Sequence, residues 1–135
     1  MTKYCTDRFY GNQDNKTSLD LEDDAAYVIW GEHWCMPTED QLIELMRNTS
    51  SERTTQNGMT GKKLTSMTNG AFIFLPSNML NSHISQDEVD YGVYISSTLD
   101  ASILAATCFW AVADEEFVGG RRRELRSSIR PVRRL

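Results

Sequence analysis

The chain has 135 residues, with 40% hydrophobic and 24% charged content. That is one domain, able to bury roughly two thirds of the surface its unfolded chain exposes, and too apolar for a disordered polymer. The formal charge of −5 is divided between an early acidic stretch (Asp20, Glu22, Asp23, Asp24) and a basic end (Arg121, Arg122, Arg123, Arg126, Arg130, Arg133, Arg134). No apolar run approaches a membrane span, and Met1-Thr2-Lys3-Tyr4 lacks the apolar region of a signal peptide.

Residues 1–17 are polar and rich in turn residues, with no strong element. Asp20 or Ser18 could cap a short helix over Leu21 to Ile29. Glu22, Asp23 and Asp24 would lie in its first turn, and Ala25, Ala26, Val28 and Ile29 would face the core. The same acids lack the alternating ligands, glycine turn and distal glutamate of a calcium loop. Next, Trp30 and Trp34 flank a tight turn at Gly31, and Trp34-Cys35-Met36 reads as a short strand stopped by Pro37. Thr38 is a good N-cap for a second helix, its hydroxyl accepting from the Gln41 N–H. The Gln41 side chain can reach back to complete a capping box. Leu42, Leu45 and Met46 recur at i, i+3, i+4, and Ile43 widens that apolar face.

Past Asn48-Thr49-Ser50-Ser51, which should end the helix, the pattern turns to strands. Arg53 to Gln56, Lys62 to Met67 and Ala71 to Leu75 are separated by Asn57-Gly58 and Asn69-Gly70, the dipeptides of tight hairpin turns. They should form an antiparallel meander stopped by Pro76. A polar loop over 77–90 leads to a strand from Tyr91 to Thr98. Residues 99–106 read as a connection. Thr107 to Ala113 has large apolar side chains on both parities, so both its faces should be covered. Asp114-Glu115-Glu116 forms a hairpin tip and Phe117-Val118 begins the return. Gly119-Gly120 would let the backbone bend or bulge, and Ser127 to Val132 reads as the last strand. Two helices and about six antiparallel strands make an α+β domain.

Several residues invite a chemical reading. Cys5, Cys35 and Cys108 have no CxxC spacing, and the surroundings of Cys35 and Cys108 are those of small buried apolar residues. His33 and His83 lie far apart with no metal-ligand pattern, so neither a metal nor a cofactor is expected. Ser96 and Ser97 lack a nucleophile elbow and are expected to bond backbone. Trp30, Trp34, Met36, Pro37, Phe72, Phe74, Tyr94 and Ile129 are assigned to the core. Arg130 is expected to pair with a carboxylate, with Glu32, Glu39 and Asp40 as candidates, or with backbone carbonyls. The arginine cluster has two readings: attraction to the acidic early stretch, or a polyanion-binding patch.

The ordered motifs W-G-x-x-W-x-M-P-T, T-T-Q-N-G-x-x-G, F-L-P, Y-x-S-S-T and S-I-R-P-V, together with K-Y-C-T-D and L-E-D-D-A-A near the start, span nearly the whole chain. In them the sequence resembles the Fibrobacter succinogenes major paralogous domain family, which is similar to the Lcl C-terminal domain and more distantly to formylglycine-generating enzymes. The resemblance implies a C-type-lectin-like fold over residues 1–135, truncated by the upstream strand segment that family members usually carry. It also implies an extracellular or cell-surface setting and a non-enzymatic recognition or adhesion role. The ligand would be a glycan, acidic given the arginines, or a protein. A homo-oligomer is compatible with the trimeric adhesin tips of relatives, and no nucleic-acid partner is expected. The ligand face would be the late loops and hairpin, with Trp110, Asp114, Glu115, Glu116, Arg121, Arg122, Arg123 and Arg126 as binding candidates. A formylglycine-generating-like oxidoreductase, which needs neighbouring reactive cysteines, and a structural module of a pilus or surface assembly are the alternatives. Three departures from the family pattern are Cys35 where a basic residue is usual, Tyr94-Ile95 in place of an aromatic-Trp pair, and the Arg121–Arg126 cluster itself.

Overall fold

The computed structural model describes residues 3–5, 8–77, 92–100, 105–112, 115–123 and 125–135. They form a mixed α+β fold with two short helices and three small sheets. Among these residues no helix is long and apolar enough to cross a membrane.

The first helix, α1, covers only Ala25–Trp30. Its N-cap is Asp24, whose carboxylate accepts from the Tyr27 N–H at 3.1 Å, and the residues before it, Leu21–Asp23, form a separate 3-10 turn. The expected continuous helix from Leu21 to Ile29 is thus split, because Asp24 leaves helical backbone geometry to act as the cap. Nor does α1 bury the expected face. Ala26 is fully buried, while Val28 and Ile29 are more than 60% exposed, at 62% and 64%.

Gly31, at φ 94°, turns the chain into β1 (Trp34–Cys35). The buried Asp24 carboxylate reaches across this turn and accepts the Met36 N–H at 2.9 and 3.1 Å. Helix α2 (Glu39–Asn48) then starts on the expected capping box. Gln41 N–H donates to the Thr38 hydroxyl at 3.2 Å, and Thr38 N–H donates to the Gln41 side chain at 2.9 Å. Leu42 is buried and Leu45 and Met46 pack against the core, as the periodicity requires. Strand begins immediately after the helix, at Thr49, rather than at Arg53.

β2 (Thr49–Gln56), β3 (Met59–Ser66) and β4 (Phe72–Pro76) form the antiparallel meander. Its first turn has Asn57 at φ 51° and Gly58 at φ 78°, the pair of left-handed residues that matches the twist of the flanking strands. Gly61 is required for a different reason: a Cβ there would lie 2.4 Å from the Leu75 carbonyl oxygen.

The third sheet contains β5 (Gly92–Asp100), β6 (Ala105–Ala111) and β7 (Glu116–Arg122) in that order. Residues 99–100 and 105–106 belong to strands rather than to a connection, and they pair Leu99 with Ala106 and Asp100 with Ala105. The 77–90 loop falls, beyond Ser77, outside the described residues. β6 is buried on both faces, as its apolar residues on both parities indicate. The expected bulge at Gly119-Gly120 is absent, since these residues pair in continuous register with Cys108 and Thr107. The register shift lies instead between Ile95 and Leu99. The irregular stretch there docks the start of α2. Ser97 N–H donates to the Pro37 carbonyl at 2.9 Å, and Glu39 N–H donates to the Thr98 hydroxyl at 3.0 Å. Ser96 bonds to Thr107 and to the Thr98 carbonyl at 2.5 and 3.2 Å, so both serines do structural work of the expected kind.

The last strand is shorter than expected. Ser128 makes a single parallel bridge to Tyr94, and only Val132–Arg133 (β8) pairs, with β1. Ile129 and Arg130 lie between these two contacts without ladder partners.

One core joins α2 to both larger sheets, through Leu42, Leu64, Leu75, Tyr94, Phe109 and Ala111. A smaller cluster of Tyr4, Leu99 and Ala106 lies where the N-terminal segment crosses the third sheet. Of the assigned core aromatics, Tyr94 is buried, Phe74 is half-buried, and Trp30, Trp34 and Phe72 are 49%, 37% and 55% exposed. Met36 and Pro37 are buried and Ile129 is half-buried. Phe72 stands near the end of β4 beside the Lys63 ammonium, 4.4 Å from the ring centre, and Trp30 ends a helix of six residues. Neither position lies over the shared core.

Candidate functional site

The late hairpin carries the sequence candidates, and its strand register decides which of them meet. Trp110 pairs with Phe117 across β6 and β7, so their side chains share a face. The rings stack at 5.6 Å with an interplanar angle of 10°, a geometry favoured between aromatic faces when offset. Arg121 lies four residues along β7 from Phe117, and the strand period of two returns it to that face. Its guanidinium sits 5.3 Å from the Trp110 ring centre, within cation–π range. Gly119, between them on the same face, has no side chain, and the Trp110 indole N–H donates to its carbonyl at 3.3 Å. The result is a three-member array of Phe117, Trp110 and Arg121. Phe117 is 41% exposed.

The remaining candidates separate into exposed and tethered groups. Glu115, Arg122 and Arg126 are exposed. Glu116 is not a free hairpin acid: its carboxylate lies 3.0 Å from the buried Lys62 ammonium on β3, pinning the meander to the third sheet. Arg123 is half-buried and donates to the Tyr4 carbonyl at 2.7 Å, tying the hairpin base to the N-terminal segment. Arg121 donates to the Arg126 carbonyl at 3.0 Å as well as facing the tryptophan. Glu116 and Arg123 thus each carry a structural contact, and Arg121 has both a structural bond and an aromatic face. Asp114 lies outside the described residues.

Arg130 also departs from expectation. It is exposed and makes no ion pair with Glu32, Glu39, Asp40 or any other described residue. It lines a recess of about 430 Å3 together with Trp30, Phe74 and Tyr94.

At the acidic end, the carboxylates of Asp20, Glu22 and Asp23 converge. Lys3 bridges Glu22 and Asp23 at 2.8 and 2.7 Å, and Lys16 binds Asp20 at 2.5 Å. Hydrogen bonds from Lys3 and from the Tyr4 hydroxyl hold the Asp23 carboxyl below its ordinary range. These acids are thus compensated by lysines of their own neighbourhood. Burial pushes Cys108 up to about 11 and raises Cys35 as well, whereas a nucleophilic cysteine needs a depressed value.

Among known proteins, no family model, no curated protein and no solved structure matches this chain.

Proposed function

We propose that the chain is a non-enzymatic recognition module of the C-type-lectin-like class, related to the Fibrobacter succinogenes major paralogous domains and displayed at a bacterial surface. Its ligand is an acidic glycan, met by the late hairpin. The observation that carries this reading is the Phe117–Trp110–Arg121 array with exposed Arg122 and Arg126 close by in sequence. An exposed aromatic ring gives a sugar an apolar face to lie on, and guanidinium forks suit sulfate and carboxylate groups. The non-enzymatic part is supported by the raised Cys35 and Cys108 thiols, which do not suit the oxidoreductase alternative.

The test is titration with heparin, a sulfated polysaccharide, at low ionic strength and at ~0.15 M salt, where the screening length is about 8 Å. Binding should weaken with salt and fall about tenfold or more in the Arg122→Ala/Arg126→Ala double variant, which leaves the Phe117–Trp110–Arg121 array in place. Arg121→Ala should add to that loss by dismantling the array. Unchanged binding in the double variant rejects the reading.

A further inference from the structure

A second recess, of about 470 Å3, opens between α2 and the C-terminal segment. Among the described residues the main core is not closed on this side. Leu42 and Leu75 belong to the buried cluster yet reach the recess, and the half-buried Leu45 and Ile73 stand in its wall. Tyr94 also faces it, but its hydroxyl is already used, donating to the Pro76 carbonyl at 2.6 Å. The lining is therefore mostly apolar, and its volume is that of a small-molecule site rather than of a packing defect.

One cation stands in this lining, Arg130. It is exposed, has no ion-pair partner among the described residues, and is close enough for its charge to act on the Tyr94 phenol. An apolar groove with one unpaired guanidinium is complementary to a molecule with one anionic end. The planar fork of arginine matches a carboxylate in two parallel hydrogen bonds. Glu44 also lines the recess and would repel a dianion such as a phosphate monoester, which favours a monoanion.

We propose that this groove binds an amphiphilic monocarboxylate, its unbranched alkyl tail against Leu42, Leu45, Ile73 and Leu75 and its carboxylate on Arg130. This site is separate from the hairpin array, and neither reading depends on the other.

Calorimetric titration of the intact chain with octanoate, decanoate and 1-decanol tests it. Each added methylene should tighten carboxylate binding about fourfold. Arg130→Gln should weaken decanoate about tenfold or more and leave decanol unchanged. Leu45→Trp, checked for native circular dichroism, should fill the groove and abolish both, and Ile73→Trp replaces it if the first variant does not fold. The proposal is overturned if decanoate does not bind at millimolar concentration, if chain length has no effect, or if Arg130→Gln binds decanoate as the parent does. Binding that survives both a folded Leu45→Trp and a folded Ile73→Trp also overturns it.

Discussion

The corner around Thr38 and the arginine-rich hairpin are both held by side-chain hydrogen bonds, but across very different chain distances. In the corner, Thr38 and Gln41 close a box three residues wide, and Asp24 reaches Met36 across 12 positions. In the hairpin, Arg123 bonds to Tyr4 from 119 positions away, and Glu116 meets Lys62 on another sheet. The corner therefore needs little of the rest of the fold to define its bonds. The hairpin acquires its partners only when both larger sheets and the N-terminal segment are in place. Residues of identical chemistry, acids and arginines in a turn, are tied to distant elements or left exposed according to that long-range placement.

The sharpest way to break this contrast is at Lys62–Glu116. Both side chains are withdrawn from water, at 6% and 15% exposure. Lys62→Ala or Glu116→Ala should each cost about 3–5 kcal/mol in urea unfolding, because the surviving charge is left buried. Lys62→Met with Glu116→Leu should restore most of that loss or exceed the parent. Equal, small losses from both single variants would mean the pair is solvated.

Asp24 is the corresponding test within the corner. Asp24→Ala removes the N-cap of α1 and leaves the buried Met36 N–H without its acceptor. The two losses together should cost about 2–4 kcal/mol. Asp24→Asn keeps an acceptor oxygen and should recover part of it.

These two sites also show what could be read from the chain alone. The capping box, the Asn57-Gly58 turn and the periodicity of α2 depend on neighbours in sequence, and each was legible. Asp24 was seen as acidic but placed in a first turn, because four acids in five positions offer several caps and only the Met36 contact selects one. Trp30, Trp34 and Phe72 were assigned to the core by residue type, yet burial depends on which face a two-residue strand or six-residue helix turns inward. Glu116 and Arg123 looked like hairpin charges, and nothing local reveals Lys62 or the Tyr4 carbonyl. The hairpin array was half legible. Trp110 and Arg121 could be named, but their meeting with Phe117 required the β6–β7 register.

A smaller effect should be visible in alkali. Burial pushes Tyr94 up to about 12, above its ordinary value of 10. The unfolded chain thus loses this proton first, so the stability it contributes is intact below pH 10 and lost as pH rises toward 12. Each such group contributes a slope of at most about 1.4 kcal/mol per pH unit. Tyr94→Phe should flatten the fall in urea midpoint across that window. Cys108, raised from 9 to about 11, acts in the same direction one unit lower, so Cys108→Ala should flatten the limb from pH 9 to 11 instead.

The smallest expected effect isolates local structure from everything that surrounds it. Thr38 is exposed, and its hydroxyl accepts only the Gln41 N–H in the corner. Thr38→Ala should cost about 1 kcal/mol, the usual value of an N-cap, and Thr38→Ser should cost far less. Gln41→Ala removes the reciprocal bond to the Thr38 N–H and should cost less than Thr38→Ala, since that N–H is open to water. The start of α2 also donates from Glu39 N–H to the Thr98 hydroxyl, a bond from the third sheet. If Thr38→Ala and Thr98→Val prove additive, the corner and the sheet stabilise this helix end independently. A loss in the double variant smaller than the sum would show that the cap is needed to hold Glu39 in position for the sheet, because Thr38→Ala alone would then already break the Thr98 bond, joining the local region to the long-range one.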